Sequence, residues 1–215
     1  MFGAMNNNHI SDKQAGISLI IFIILLVFTM VLHPVGGSVE RLINITGLII
    51  GTHALAIFSL PFGWVGFRGV TRRIGTEHFS SSIAWGMVIF GLIAAMLAGA
   101  TNGLVLPIFL QHYKDASPET PEAISPIIRY SYAVNHAFDY VYTGAFCFAI
   151  LGWSIDILRG KKLPAWLGWL GLLLFVGMVA LLIGGMNIHH LSGFRIFVTS
   201  ILVWILLAGI LLCRR

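Results

Sequence analysis

Gly16-Ile17-Ser18-Leu19-Ile20-Ile21-Phe22-Ile23-Ile24-Leu25-Leu26-Val27-Phe28-Thr29-Met30-Val31-Leu32 is an almost unbroken apolar run, and its reading decides the fold. With its flanks it is long enough to cross the ~30 Å hydrocarbon core of a bilayer as a helix. The preceding segment is polar and weakly charged, with Lys13 as its one basic residue, and no Ala-x-Ala site follows the run. That pattern predicts an uncleaved first span behind a cytoplasmic tail rather than a secretory signal.

The rest of the chain matches it. Of 215 residues, 58% are hydrophobic and only 10% are charged, and the mean hydropathy is +0.92. A soluble domain carries about 25% charged residues, so most of this surface is expected to face lipid. The net charge of +5 is small and forms no basic stripe interleaved with aromatics, which argues against a nucleic-acid partner. Cys147 and Cys213 both sit in apolar runs; neither a disulfide framework nor a Cys-x-x-Cys metal motif is present.

Apolar runs separated by turn and charge signals predict an all-α integral membrane protein, one domain over 1–215, with six spans near 16–33, 42–67, 82–110, 126–158, 164–187 and 194–213. Pro61 is expected to kink the second span. Ser125-Pro126 reads as an N-cap followed by proline at the first helical position. The helix that they would start can run to Leu158, about 50 Å at 1.5 Å per residue. An even number of spans puts both termini on one side. Lys13, Arg68, Arg72, Arg73, Arg159, Lys161, Lys162, Arg214 and Arg215 then share that side, against Arg41, Lys114, Arg129 and Arg195 on the other. The positive-inside rule makes the first side cytoplasmic, and Trp64, Trp85, Trp153, Trp166 and Trp169 fall at the same ends as an expected aromatic belt. The expected location is the cell membrane, a bacterial inner membrane.

With that topology, His33, His53, His112, His136, His189 and His190 all lie in the non-cytoplasmic half, and only His9 and His78 lie in the other. On the fourth span Tyr132, His136, Asp139 or Tyr140, Thr143 and Cys147 recur at helical spacing and share a face. Ionisable groups at membrane depth are costly, face the bundle interior and mark function more often than not. The third span carries Ala95, Gly99 and Gly103 four residues apart, with Asn102 beside them, and the second carries Gly47 and Gly51; both are small-xxx-small faces for close helix contact. The second, third and fourth helices are the expected walls of a site open to the outside, with 184–190, which includes Asn187, as its lid.

Three chemistries suit these residues. His53, His136, Asp139, His189 and His190 can supply ligands to a zinc, iron or copper ion. His53 and His136 on facing helices can ligate a haem b. Without metal, His136 and Asp139 form a base and its orienting acceptor, with Asn102, Asn135 or Tyr140 as donors to a developing oxyanion. The catalytic set is therefore expected to be His136, Asp139, Tyr140 and Asn102. His33, His112, His189 and His190 also fit ordinary interfacial side chains, and Asp156 is expected to pair with Arg159 or Lys161. No His-Glu-x-x-His, Gly-x-Ser-x-Gly or Walker loop occurs. The leading expectation is a metal- or haem-binding membrane enzyme, hydrolase or oxidoreductase, acting on a lipid-like or quinone-like substrate, with the bilayer as its constant partner. A proton- or cation-coupled transporter and a non-catalytic membrane subunit are the alternatives.

Overall fold

The computed structural model describes residues 10–34, 37–114, 120–184 and 191–214, with the backbone alone at 120–121, 182 and 191–195. Helix α1 is Asp12–Leu32 and α2 is Val39–Asn44, followed at once by α3, Thr46–Ile74. Helix α4, Phe79–Ala100, continues through a π-turn at Thr101–Val105 into α5, Leu106–Gln111. Helix α6 is Thr120–Gly160, α7 is Ala165–Ile183 and α8 is Leu191–Cys213. No strand occurs among the described residues. Five helices are long and apolar enough to cross a membrane, which implies a bilayer environment; Ala165–Leu181 of α7 forms a shorter apolar helix.

Local chemistry explains the boundaries. Ser11 and Gln14 form a reciprocal capping box at the start of α1, which satisfies two of the donors that a helix start leaves unpaired. Helix α3 runs through Pro61 without interruption and stops at Gly75, whose φ of 130° is a backbone setting open to glycine. Helix α6 does not begin at Ser125-Pro126. Its described part reaches back to Thr120, upstream of Ser125. Pro126 is thus inside a helix of 41 residues, about 60 Å long at 1.5 Å per residue.

The long helices form a ring. Each packs against its neighbour in sequence from α1 through α3, α4, α6 and α7 to α8, and α8 returns to α1. Contacts between chain segments place the turns. Arg72 pairs with Asp12 at 2.8 Å and Arg73 pairs with the same carboxylate at 3.5 Å. Lys162 approaches Glu77 at 3.4 Å, and the Cys213 thiol contacts the Lys13 carbonyl at 3.8 Å. The first residues of α1, the α3–α4 turn, the α6–α7 turn and the end of α8 therefore share one cation-rich end. Glu77 itself is held below the ordinary carboxylate range, first by its own backbone N–H and then by Lys162.

Near that end the ring is filled by aromatic side chains. Trp153 stacks on Phe67 at 5.7 Å and on Trp204 at 5.8 Å, and Phe67 meets Phe146 at 5.5 Å. The Trp153 indole donates to Thr71 Oγ1, and the Trp204 indole to the Leu167 carbonyl. Trp153 is fully buried and so does not belong to the interfacial belt, whereas Trp64, Trp166 and Trp169 are exposed. Asp156 is also buried. It accepts from Ser80 Oγ at 2.8 Å and Ser81 Oγ at 2.6 Å, which replaces the expected pairing with Arg159 or Lys161: the face of α6 that carries it is turned toward α4, not toward the basic turn.

Candidate functional site

A cavity of about 300 Å³ lies inside the ring, away from the cation-rich end, between α1, α3, α4, α6 and α8. A second space of about 410 Å³ extends outward from it, walled by Leu42, Ile49, Leu106, Leu110 and Tyr132. His33, His53, Asn102 and His136 border both. Four polar residues from four chain segments thus form the collar between an outer vestibule and an inner chamber.

Helix α3 fixes His53. Its Nδ1 lies 2.8 Å from the Ile49 carbonyl. A carbonyl only accepts, so Nδ1 carries the hydrogen, and Nε2 of the neutral ring is an acceptor. The imidazole lies directly over Gly103, where any Cβ would collide with it. His33, at the end of α1, places Nδ1 3.1 Å from the Pro34 carbonyl and sets its ring edge-to-face on His53 at 5.1 Å.

Helix α6 contributes Asn135, His136, Asp139 and Tyr142 to the chamber wall. These positions follow the helical period of 3.6 and lie on one face. Asn135 Nδ2 donates to Asp139 Oδ2 at 3.0 Å, one turn further along the same helix. Tyr140, expected in the catalytic set, does not line the chamber and is 59% exposed. One residue beyond Asp139 it is rotated ~100° off the inward face, and Tyr142 takes the inward place.

Asn102 sits in the π-turn. Its Oδ1 is buried without a hydrogen-bond donor, as are Thr52 Oγ1 and Thr143 Oγ1. Native interiors leave few such atoms unpaired, and π-turns within α-helices recur at functional sites. The signal for the turn is Pro107: it lacks an N–H and clashes with the carbonyl four residues back, that of Gly103. The small faces fare unequally. A Cβ on Gly99 would meet Ile57 at 3.3 Å, but Gly47 and Gly51 face open space, so the second helix makes no close contact through them. Close packing falls instead on Gly69 against Ala15 and on Gly16 against Gly209.

Beyond the collar, Asn135, Asp139 and Thr29, the chamber wall is apolar, lined by Phe22, Leu26, Met30, Leu60, Leu92 and Val198. Tyr142 closes its base against Phe146 at 4.9 Å and Phe197 at 6.2 Å, directly above the aromatic fill. Among the described residues, aromatic side chains pack the ring beneath the chamber toward the cation-rich side. Its volume is at the small end of the ~300–1,000 Å³ typical of ligand sites, which suits a small or slender molecule.

Of the expected metal ligands, His53, His136 and Asp139 share this chamber, while His189 and His190, with Asn187 and the rest of the expected lid beyond Gly184, lie outside the described residues. Among the described residues no three His, Cys, Asp or Glu side chains converge as a metal-binding group. His112 ends α5, exposed, with Nδ1 on the Ile108 carbonyl, as an ordinary interfacial histidine would be. The residues that sequence reasoning undervalued are His33 and Tyr142.

Fold and site together define an all-helical, multi-pass membrane protein with an internal amphipathic cavity. No protein-family model, curated protein or solved structure matches the chain.

Proposed function

We propose that this is a six-span membrane protein with cytoplasmic termini whose outer half binds a small amphipathic molecule, lipid-like or quinone-like. His53, His136 and Asp139 would serve as the hydrogen-bonding and acid–base groups. The observation that carries the reading is one cavity in which His33, His53, Asn102, Asn135, His136 and Asp139 gather above an apolar base. A polar head would sit at the collar, and an apolar body would lie against Phe22, Leu26 and Leu92. The sixth span is supported by α7, whose 19 residues extend about 28 Å, close to the hydrocarbon thickness. Orientation is supported by the cation-rich end, which the positive-inside rule places in the cytoplasm.

The reading does not depend on a metal. A zinc, iron or copper ion drawing on His53, His136 or Asp139, or a haem between His53 and His136, would be an addition to it, checked by elemental analysis and a visible spectrum of the purified protein. A transporter ranks below it, because among the described residues aromatic side chains around Phe146, Trp153 and Trp204 fill the ring beneath the chamber.

The test is ligand-dependent stability in nanodiscs. A ligand at 100 times its Kd stabilises the folded state by about 2.7 kcal/mol. A panel of short-chain quinones and single-chain amphiphiles should include members that raise the unfolding temperature of the native protein, and His53→Ala or Asp139→Ala should lose that rise while still folding. A panel that leaves the native protein unmoved at saturation overturns the proposal.

A further inference from the structure

We infer that the head group this chamber takes is a protonated amine on an apolar body. The inference rests on the binding site proposed above and narrows its ligand. Asp139 is the one carboxylate on the walls of the two spaces, and no Lys or Arg is among the described residues that line them. The donor seen on its carboxylate is a single neutral amide, that of Asn135. An ionised carboxylate at membrane depth is costly unless a cation answers it. The collar adds a second acceptor, because His53 Nδ1 is committed to the Ile49 carbonyl and Nε2 is left to accept.

A carboxylate with no Lys or Arg among the described residues around it favours a cationic, hydrogen-donating head. A carbonyl-headed molecule would bring no charge to answer Asp139, and a fatty acid would set a second negative charge beside it. An ammonium brings three donors and the missing charge. The chamber also offers aromatic faces: Phe22 and Tyr142 both line it, and ring faces attract cations most where water is excluded. The apolar base then takes the body of the molecule.

The experiment compares decylamine, 1-decanol, decanoic acid and a short-chain quinone on the full chain in zwitterionic nanodiscs, with binding read by titration calorimetry against empty discs. A hydrogen bond to a charged group contributes about 1.5–3 kcal/mol, so the amine should bind roughly tenfold or more tighter than the alcohol. Asp139→Asn should remove that preference, lowering amine affinity about tenfold or more toward that of the alcohol. Should Asp139→Asn not fold, Ala95→Phe, which fills the chamber from α4, must abolish amine binding. The inference is overturned if the alcohol or the quinone binds as tightly as the amine, or if the preference survives Asp139→Asn or Ala95→Phe. If none of the four binds the native protein, the failure belongs to the proposed binding site itself.

Discussion

Gly103 has no side chain in the one place where His53 needs the room. A methyl group there would fall within the imidazole, so Gly103→Ala must swing His53 away and break the Nδ1 bond to the Ile49 carbonyl. Overpacking of this kind destabilises by about 1–3 kcal/mol, and ligand binding should fall with it. Gly51→Ala is the matched control: it adds a methyl to the same helix as His53 where nothing lies within 4 Å. It should be neutral or stabilising by up to about 1 kcal/mol, the helix-propensity difference. Thermal unfolding of both variants in nanodiscs checks the pair, and equal destabilisation of the two would disprove the seating of His53. The spacing of Ala95, Gly99 and Gly103 showed that something comes close to this helix but not what. For Gly103 the occupant is a side chain, not a helix backbone. Asp139 and Tyr140 pose the same kind of difficulty, since choosing between neighbours ~100° apart requires knowing where the ring centre lies, which only the assembled bundle supplies.

Helix α4 starts without a side-chain cap of its own, since His78 at the cap position makes no such bond. Asp156 instead ties this first turn to α6, accepting from the Ser80 and Ser81 hydroxyls. An anion there also complements the positive end of the helix dipole. Asp156→Ala strands two hydroxyls, one of them on the fully buried Ser81, at a cost of roughly 2–4 kcal/mol. Asp156→Asn keeps one acceptor and should be milder. Neither should change ligand affinity, because the chamber lies toward the other end of the ring. Unfolding in a denaturant series, run beside the binding assay, checks both statements, and a loss of affinity in a protein that still folds would show that this bond reaches the site. The basic residues at 159–162 made Asp156 read as a surface ion-pair partner. Along the chain it is close to those cations, but across the bundle it is closer to α4. The π-turn was hidden for a related reason: Pro107 signals a disturbed hydrogen-bond ladder, but whether the helix breaks, kinks or bulges depends on what packs around it.

At the scale of the whole molecule, the parts that follow from hydropathy and charge were legible: helical class, a multi-pass set of apolar runs of which five are long enough to cross a membrane, and the gathering of cations at one end. Closure of the ring by α8 against α1 and the aromatic fill were not, because both depend on which face of each helix turns inward. Trp153 shows why. Its depth is that of a belt residue, and only its direction makes it core. That fill gives the described part of the molecule its asymmetry, a chamber continuous with the vestibule on one side and packed beneath by aromatic side chains around Tyr142 on the other. The asymmetry predicts one-sided access. In a background with Cys147 and Cys213 replaced by serine, Ala98→Cys places a thiol on the chamber wall at a residue 9% exposed. Ala149→Cys places one within that packing at a residue 0% exposed. A membrane-impermeant cationic methanethiosulfonate added outside right-side-out vesicles should modify the Ala98→Cys variant, and the same reagent trapped inside should not. The Ala149→Cys variant should resist it from both sides. Modification of the chamber-wall thiol from the cytoplasmic side would mean a through-path and favour the transporter, while no modification from either side would remove the outward opening on which the proposed site depends. The cationic reagent also shares the charge of the inferred head group. Its reaction with the chamber-wall thiol should therefore slow when Asp139 is changed to asparagine, because the carboxylate that would concentrate a cation in the chamber is then gone.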